Sequence, residues 1–183
     1  MGLLSLVNKL ILWALLIVPW FTLFFMKKES IKRYMPVGIF TALITTITFE
    51  IAYHYEWWIA KDKIVPWGHI TNPAFPYGAF LVLTLWIFYF TYRNFWLYMF
   101  ANIVLNAGQW YFVQRIFEQR NMVELVNISR FQLLLLGTVQ ALVIYAYQRW
   151  QEGVFQVPEK PKGDGKHEFT AEPRRFRGKE GAR

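Results

Sequence analysis

Five stretches of this sequence carry no Asp, Glu, Lys or Arg: residues 10–26, 34–49, 64–92, 94–114 and 131–148, which are 17, 16, 29, 21 and 18 residues long. A water-soluble domain built on them would need helices that are apolar on every side, with no face left for solvent. A bilayer core of ~30 Å instead asks for roughly 20 apolar residues per crossing helix. The pattern predicts an all-α, polytopic transmembrane bundle of five helices, with spans near residues 10–26, 35–53, 73–92, 95–114 and 131–148. It excludes a soluble enzyme and a secreted disulfide scaffold. With no cysteine in the chain, thiol catalysis and cysteine-ligated metal sites are excluded as well.

The net charge of +8 would suit nucleic acid, but the basic residues sit where membrane topology puts them, and no nucleic-acid partner is expected. Lys27, Lys28, Lys32 and Arg33, the single Arg93 and the nine basic residues from Arg149 onward lie on one side of the five spans, fourteen in all. Lys9, Lys61, Lys63, Arg115, Arg120 and Arg130 lie on the other, six in all. The excess of Lys and Arg marks the cytoplasmic side. The amino terminus is then outside and the tail inside. The first apolar run has no small-residue cleavage site after it and reads as a retained span. Residues 1–150 form the membrane domain. Residues 151–183 are rich in Pro, Gly and charge, and read as a disordered basic cytoplasmic tail. Within that tail Arg174, Arg175 and Arg177 are candidates for contact with anionic lipid, against the plainer reading of a solvated tail that sets topology.

Polar residues inside the spans are where chemistry is sought, because an ionisable group in the bilayer is costly. Glu50 is the acid within a span, and Thr46, Glu50 and His54 share one helix face by their i, i+4 spacing. Asn102, Asn106 and Gln109 share a face of the fourth span. With the assigned topology Glu50, His54, Asn106 and Gln109 fall in the outer half, and these residues with Asn102 predict a polar pocket opening outward. The alternative is that Asn and Gln only hold the bundle together by interhelical hydrogen bonds, with Glu50 hydrated at the interface. Thr41, Thr45 and Thr48 make a second face that reads as packing. His54, Glu56, Asp62 and His69 match no metal-ligand spacing. The hydrolase elbow, the phosphate-binding glycine loop and the zinc-protease helix motif are absent, and no cofactor is expected. Asn72-Pro73 reads as the cap and first position of span three, and Tyr92-Arg93-Asn94 as a tight helical hairpin.

The segment Lys27-Lys28-Glu29-Ser30-Ile31-Lys32-Arg33-Tyr34-Met35-Pro36-Val37, with Phe49-Glu50-Ile51-Ala52-Tyr53, Trp57-Trp58 and Pro66-Trp67-Gly68, resembles small uncharacterised multi-span membrane proteins of Bacillus-like bacteria, over roughly residues 10–150. That resemblance implies a bacterial plasma membrane and carries over no functional residue. Leu105-Asn106 followed by Trp110, after a loop containing Trp and Pro, is also similar to the tryptophan-rich sensory proteins, which have five spans and bind porphyrins. Here the loop follows span two rather than span one and the paired prolines are missing, so the likeness reads as convergence on aromatic membrane composition.

The expectation is a multi-pass plasma-membrane protein, a non-enzymatic accessory or binding protein with an outward-facing polar pocket. Its partners are the lipid bilayer and, as a further candidate, another membrane protein or a second copy of itself. The alternative is a small-molecule, ion or proton transporter or channel subunit that uses Glu50.

Overall fold

The computed structural model describes residues 3–65, 68 and 70–155. Most of these residues are helical, in five stretches. Helix α1 is Leu3–Thr22, followed by a 3-10 turn at Leu23–Phe25. Helix α2 is Lys28–His54. Helix α3 starts as a π-helical stretch, Ala74–Phe80, and continues as an α-helix over Leu81–Thr91. Helix α4 runs unbroken through Phe95–Gly108, a π-helical stretch Gln109–Val113, and Gln114–Gln119. Helix α5 is Arg130–Phe155. It carries on past Gln151 into the start of the segment expected as tail; Arg174, Arg175 and Arg177 lie outside the described residues.

Four segments are long and apolar enough to cross a membrane: Ser5–Phe25, Lys28–His54, Ala74–Thr91 and Arg130–Gly153. Helix α4 falls short on composition, because Asn102, Asn106, Gln109 and Gln114 dilute its apolar residues. The outward faces bear the membrane pattern. Leu6, Leu10, Trp13, Ile17, Phe21, Phe24, Phe25, Ile39, Leu43, Ile47, Phe90 and Phe100 are all exposed, the reverse of what water would tolerate over so much continuous surface.

Local chemistry explains the helix ends. The Asn94 side chain accepts from the backbone N–H groups of Trp96 and Leu97 at 3.1 and 3.2 Å, capping α4 and closing the hairpin from α3. Asn72 Oδ1 accepts from Ala74 N at 3.3 Å, as expected of a cap. The π stretch that follows contains Pro76 and Gly78. Pro76 brings no N–H to the ladder. Gly78 lies against α1 so closely that a Cβ there would come within 2.6 Å of Leu16 Cα. Trp20 of α1 donates its indole N–H to Tyr77 O at 3.0 Å, and Trp86 of α3 donates to Thr22 Oγ1 at 2.9 Å.

The helices form a ring with α1 on its flank. Helix α2 packs on α3 and α5, and α4 packs on α3 and α5. Helix α1 packs on the π stretch of α3. At the end bearing Arg33 and Arg93, the ring is filled by an aromatic core. Phe88 stacks near Tyr34, Tyr98 and Tyr145 at ring distances of 5.7, 4.9 and 6.4 Å. Below it, Glu152 accepts from Arg33 Nε at 2.5 Å, the Tyr92 hydroxyl at 2.6 Å and Gln148 Nε2 at 2.9 Å. That carboxylate ties α2, α3 and α5 together.

The opposite end holds two strands that hydrophobic runs did not predict. Strand β1, Trp58–Ala60, pairs antiparallel with β2, Val123–Leu125, matching Trp58 to Leu125 and Ala60 to Val123. Lys61 bridges to Glu124 at 2.7 Å and donates to Asn121 Oδ1 at 2.8 Å. The ribbon joins the segment after α2 to the segment after α4. Asn8 of α1, almost wholly buried, reaches the same region, donating to Asp62 Oδ2 at 2.5 Å and Arg120 O at 3.2 Å.

Candidate functional site

A cavity of about 590 Å³ lies inside the ring, between the aromatic core at one end and the β-ribbon at the other. All four ring helices line it. Helix α2 contributes Thr41, Thr45, Thr48 and Phe49. Helix α3 contributes Phe75, Phe80, Leu83, Thr84 and Ile87. Helix α4 contributes Asn102, Leu105, Asn106, Gln109, Trp110 and Gln114. Helix α5 contributes Leu133, Gly137, Gln140 and Ile144. Trp58, Ala60, Val123 and Leu125 of the ribbon close the far end. There Phe49, Trp58, Trp110, Phe75 and Phe117 make a chain of ring contacts, with Phe49 edge-on to Trp58 at 5.3 Å and Phe75 edge-on to Phe117 at 5.9 Å.

Helical period sets which side chains reach this space. Thr41, Thr45 and Thr48 are spaced at four and three residues, one stripe of α2. Asn102, Asn106 and Gln109 repeat that spacing on α4, running into the π stretch that turns Gln109 and Trp110 toward the ring. Such π segments, where one residue is added to a turn, recur at functional sites.

The hydrogen bonds in the wall are specific. Asn102 donates its amide N–H to Tyr98 O and Asn106 donates to Asn102 O, both at 2.9 Å. Gln140 donates to Thr48 Oγ1 at 2.5 Å, joining α5 to α2, while the Thr48 hydroxyl donates to Ile44 O at 2.9 Å. Asn106 sits over Gly137, where a Cβ would come within 2.8 Å of its Cγ. Among the described residues the one ionisable lining group is Asp62, at the ribbon end, held by Asn8. The walls at mid-depth are neutral.

The expected pocket residues therefore divide. Asn102, Asn106 and Gln109 line the cavity. Glu50 and His54 do not; both are exposed on α2, and the His54 ring lies edge-on to Tyr55 at 4.9 Å. Thr46, on their face, meets Tyr77 Oη at 3.2 Å on the side toward α3. The threonine stripe expected to serve packing is the one that faces the cavity. Gln114, Gln140 and Thr84 were not singled out from sequence, although Gln140 in the middle of a charge-free run was a signal of the same kind as Asn106. Among the described residues no three His, Asp or Glu side chains gather as a metal site would need, and His69 lies outside them.

Exposure identifies where the cavity meets its surroundings. Lining residues Leu83 on α3, and Val104, Leu105, Phe112 and Val113 on α4, are exposed, Phe112 by 73%. Those on α2 and α5 are buried or half-buried. Ile70, in the segment before α3, is a further exposed lining residue. No family model, curated protein or solved structure matches the chain.

Proposed function

We propose that this chain is a five-span plasma-membrane binding protein, without enzymatic activity of its own, whose interhelical cavity holds a small lipophilic ligand. The observation that carries this reading is the cavity itself. Its volume falls in the range of small-molecule sites, roughly 300–1,000 Å³, and it combines apolar walls with a few placed polar groups as such sites do. A bundle held only by interhelical hydrogen bonds would close around Asn106 and Gln140 rather than leave space between four helices.

Counting α4 as the fifth span is supported by the strand pairing. If α2 and α3 cross the bilayer, β1 lies at the outer surface and the Tyr92–Asn94 hairpin at the inner one. Strand β2 pairs with β1, so α4 must travel from the inner surface to the outer. Fourteen basic residues on the hairpin side against six on the ribbon side give the amino terminus outside and the tail in the cytoplasm. The resemblance to Bacillus-like membrane proteins supports a bacterial plasma membrane. A transport role built on Glu50 has less support, since that carboxylate faces away from the cavity.

Gly108 offers the test. It lines the cavity, and a Cβ there meets nothing within 4 Å. Gly108→Trp should fill the space without disturbing the helices. The purified protein in detergent is expected to bind an uncharged solvatochromic dye saturably, and Gly108→Trp to weaken that binding at least tenfold with its unfolding temperature held. Dye binding equal in both proteins would refute a role for the cavity.

A further inference from the structure

The ribbon end of the cavity specifies the ligand more narrowly, on the reading that the cavity binds one. Side chains alternate across a strand. Along β1 and just past it, Trp58, Ala60 and Asp62 line the cavity, as do Val123 and Leu125 on β2. Ile59 is exposed on the outer face, where Lys61 pairs with Glu124. The alternation that sends Glu124 outward to a lysine leaves Asp62 on the inner face. Asp62 Oδ2 accepts from Asn8 at 2.5 Å, and that amide brings no charge. Among the described residues no Lys or Arg forms an ion pair with Asp62, and the lining they form carries one negative charge and no positive one. That charge stands at the end of the chain of rings. Asp62 N donates to Met122 O at 3.3 Å, and Met122 N to Phe117 O at 2.9 Å. Phe117 meets Phe75 at 5.9 Å, and Phe75 meets Phe49 at 6.2 Å.

We infer that the cavity binds a lipophilic cation, whose charge pairs with Asp62 and whose apolar groups lie along Phe117, Phe75 and Phe49. A carboxylate among apolar walls is costly to leave without a counter-charge, so it selects a cation and repels an anion. Aromatic rings add to the same preference, because their faces are negative and attract positive charge. The kind of cation follows from the ligands on offer. A metal ion such as calcium takes roughly 6–8 oxygen ligands, and among the described residues no three His, Asp or Glu side chains gather. An onium ion spreads its charge over a larger, weakly hydrated surface. One carboxylate and a wall of rings are enough to hold it.

The test uses the full-length protein in an uncharged detergent. It is titrated calorimetrically with tetraphenylphosphonium and tetraphenylborate, which share a shape and differ in sign, and with the uncharged solvatochromic dye. Tetraphenylphosphonium is expected to bind one-to-one. Asp62→Asn keeps an oxygen for Asn8 and removes the charge. It should lower the ratio of phosphonium to borate affinity at least tenfold, while dye binding changes less than threefold. If that variant does not fold, Val123→Lys makes the same measurement. It sets an ammonium opposite Ala60 on the inner face, and the ratio should fall at least as far, whereas a merely filled cavity would leave it unchanged. A ratio that stays within threefold of wild type in whichever variant folds overturns recognition by charge while leaving a ligand-binding cavity in place. Failure of the dye and of both ions to bind wild type overturns the binding function itself.

Discussion

At the scale of single residues, two glycines carry opposite expectations. Both sit in helices, where glycine costs about 1 kcal/mol relative to alanine. At Gly108 an added methyl finds open space, so Gly108→Ala should stabilise by about 0.5–1 kcal/mol. At Gly137 the methyl would overlap the Asn106 carboxamide, and an overpacked site typically loses about 1–3 kcal/mol. Gly137→Ala should therefore lower the unfolding temperature while Gly108→Ala raises it, read by thermal unfolding in one detergent. Residue spacing alone revealed Asn102, Asn106 and Gln109 as one face, and that face does border the cavity. The same reasoning joined Glu50 to His54 without revealing which way they point. Period fixes which side chains travel together; the direction of the stripe depends on the neighbours of α2, and these are set by contacts from distant parts of the chain.

At the scale of elements, the long helices were legible because absence of charge over a span is a strong signal. The ribbon was not, since three-residue strands such as Trp58-Ile59-Ala60 are too short to establish an alternation. The π stretches were also hidden, although Pro76 and Gly78 mark one of them. The anchoring of three helix ends on Glu152 carries a pH signature through Tyr92. Burial, then the hydrogen bond to Glu152 and its charge, push the Tyr92 phenol up to about 12 from an ordinary value of 10.0. The fold favours the protonated phenol. Its contribution is therefore complete below about pH 10 and is lost as pH rises through about 12. Thermal unfolding should show wild type losing stability across that window. Tyr92→Phe should start lower at neutral pH, having lost the bond to Glu152, and decline less between pH 10 and 12. Parallel curves for the two proteins would remove Tyr92 from the anchor.

At the scale of the whole molecule, the question is which surfaces face which compartment. The absence of cysteine makes single introduced thiols clean reporters. In intact cells a membrane-impermeant maleimide should label Val126→Cys, beyond the ribbon, and should label Arg93→Cys, in the α3–α4 hairpin, only after permeabilisation. Equal labelling of both from one side would mean that α4 does not cross. The sequence pattern conveyed five helical stretches, of which four are long and apolar enough to cross a membrane. It could not convey the ring, because nothing in the composition of α2 or α5 says that each lies beside the other rather than beside α1. Nor could it convey the cavity, whose walls come from four helices and the ribbon.

The pairing of β1 with β2 also sets a clock. Trp58 and Leu125 lie 67 positions apart in the chain, which a ribosome adds in roughly 3–13 s at ≈ 5–20 residues/s. Throughout that interval β1 has emerged and its partner has not been made. Helices α3 and α4 are made within that interval, and α5 only after it. The cavity, which α5 helps to line, is therefore complete only after the ribbon can pair.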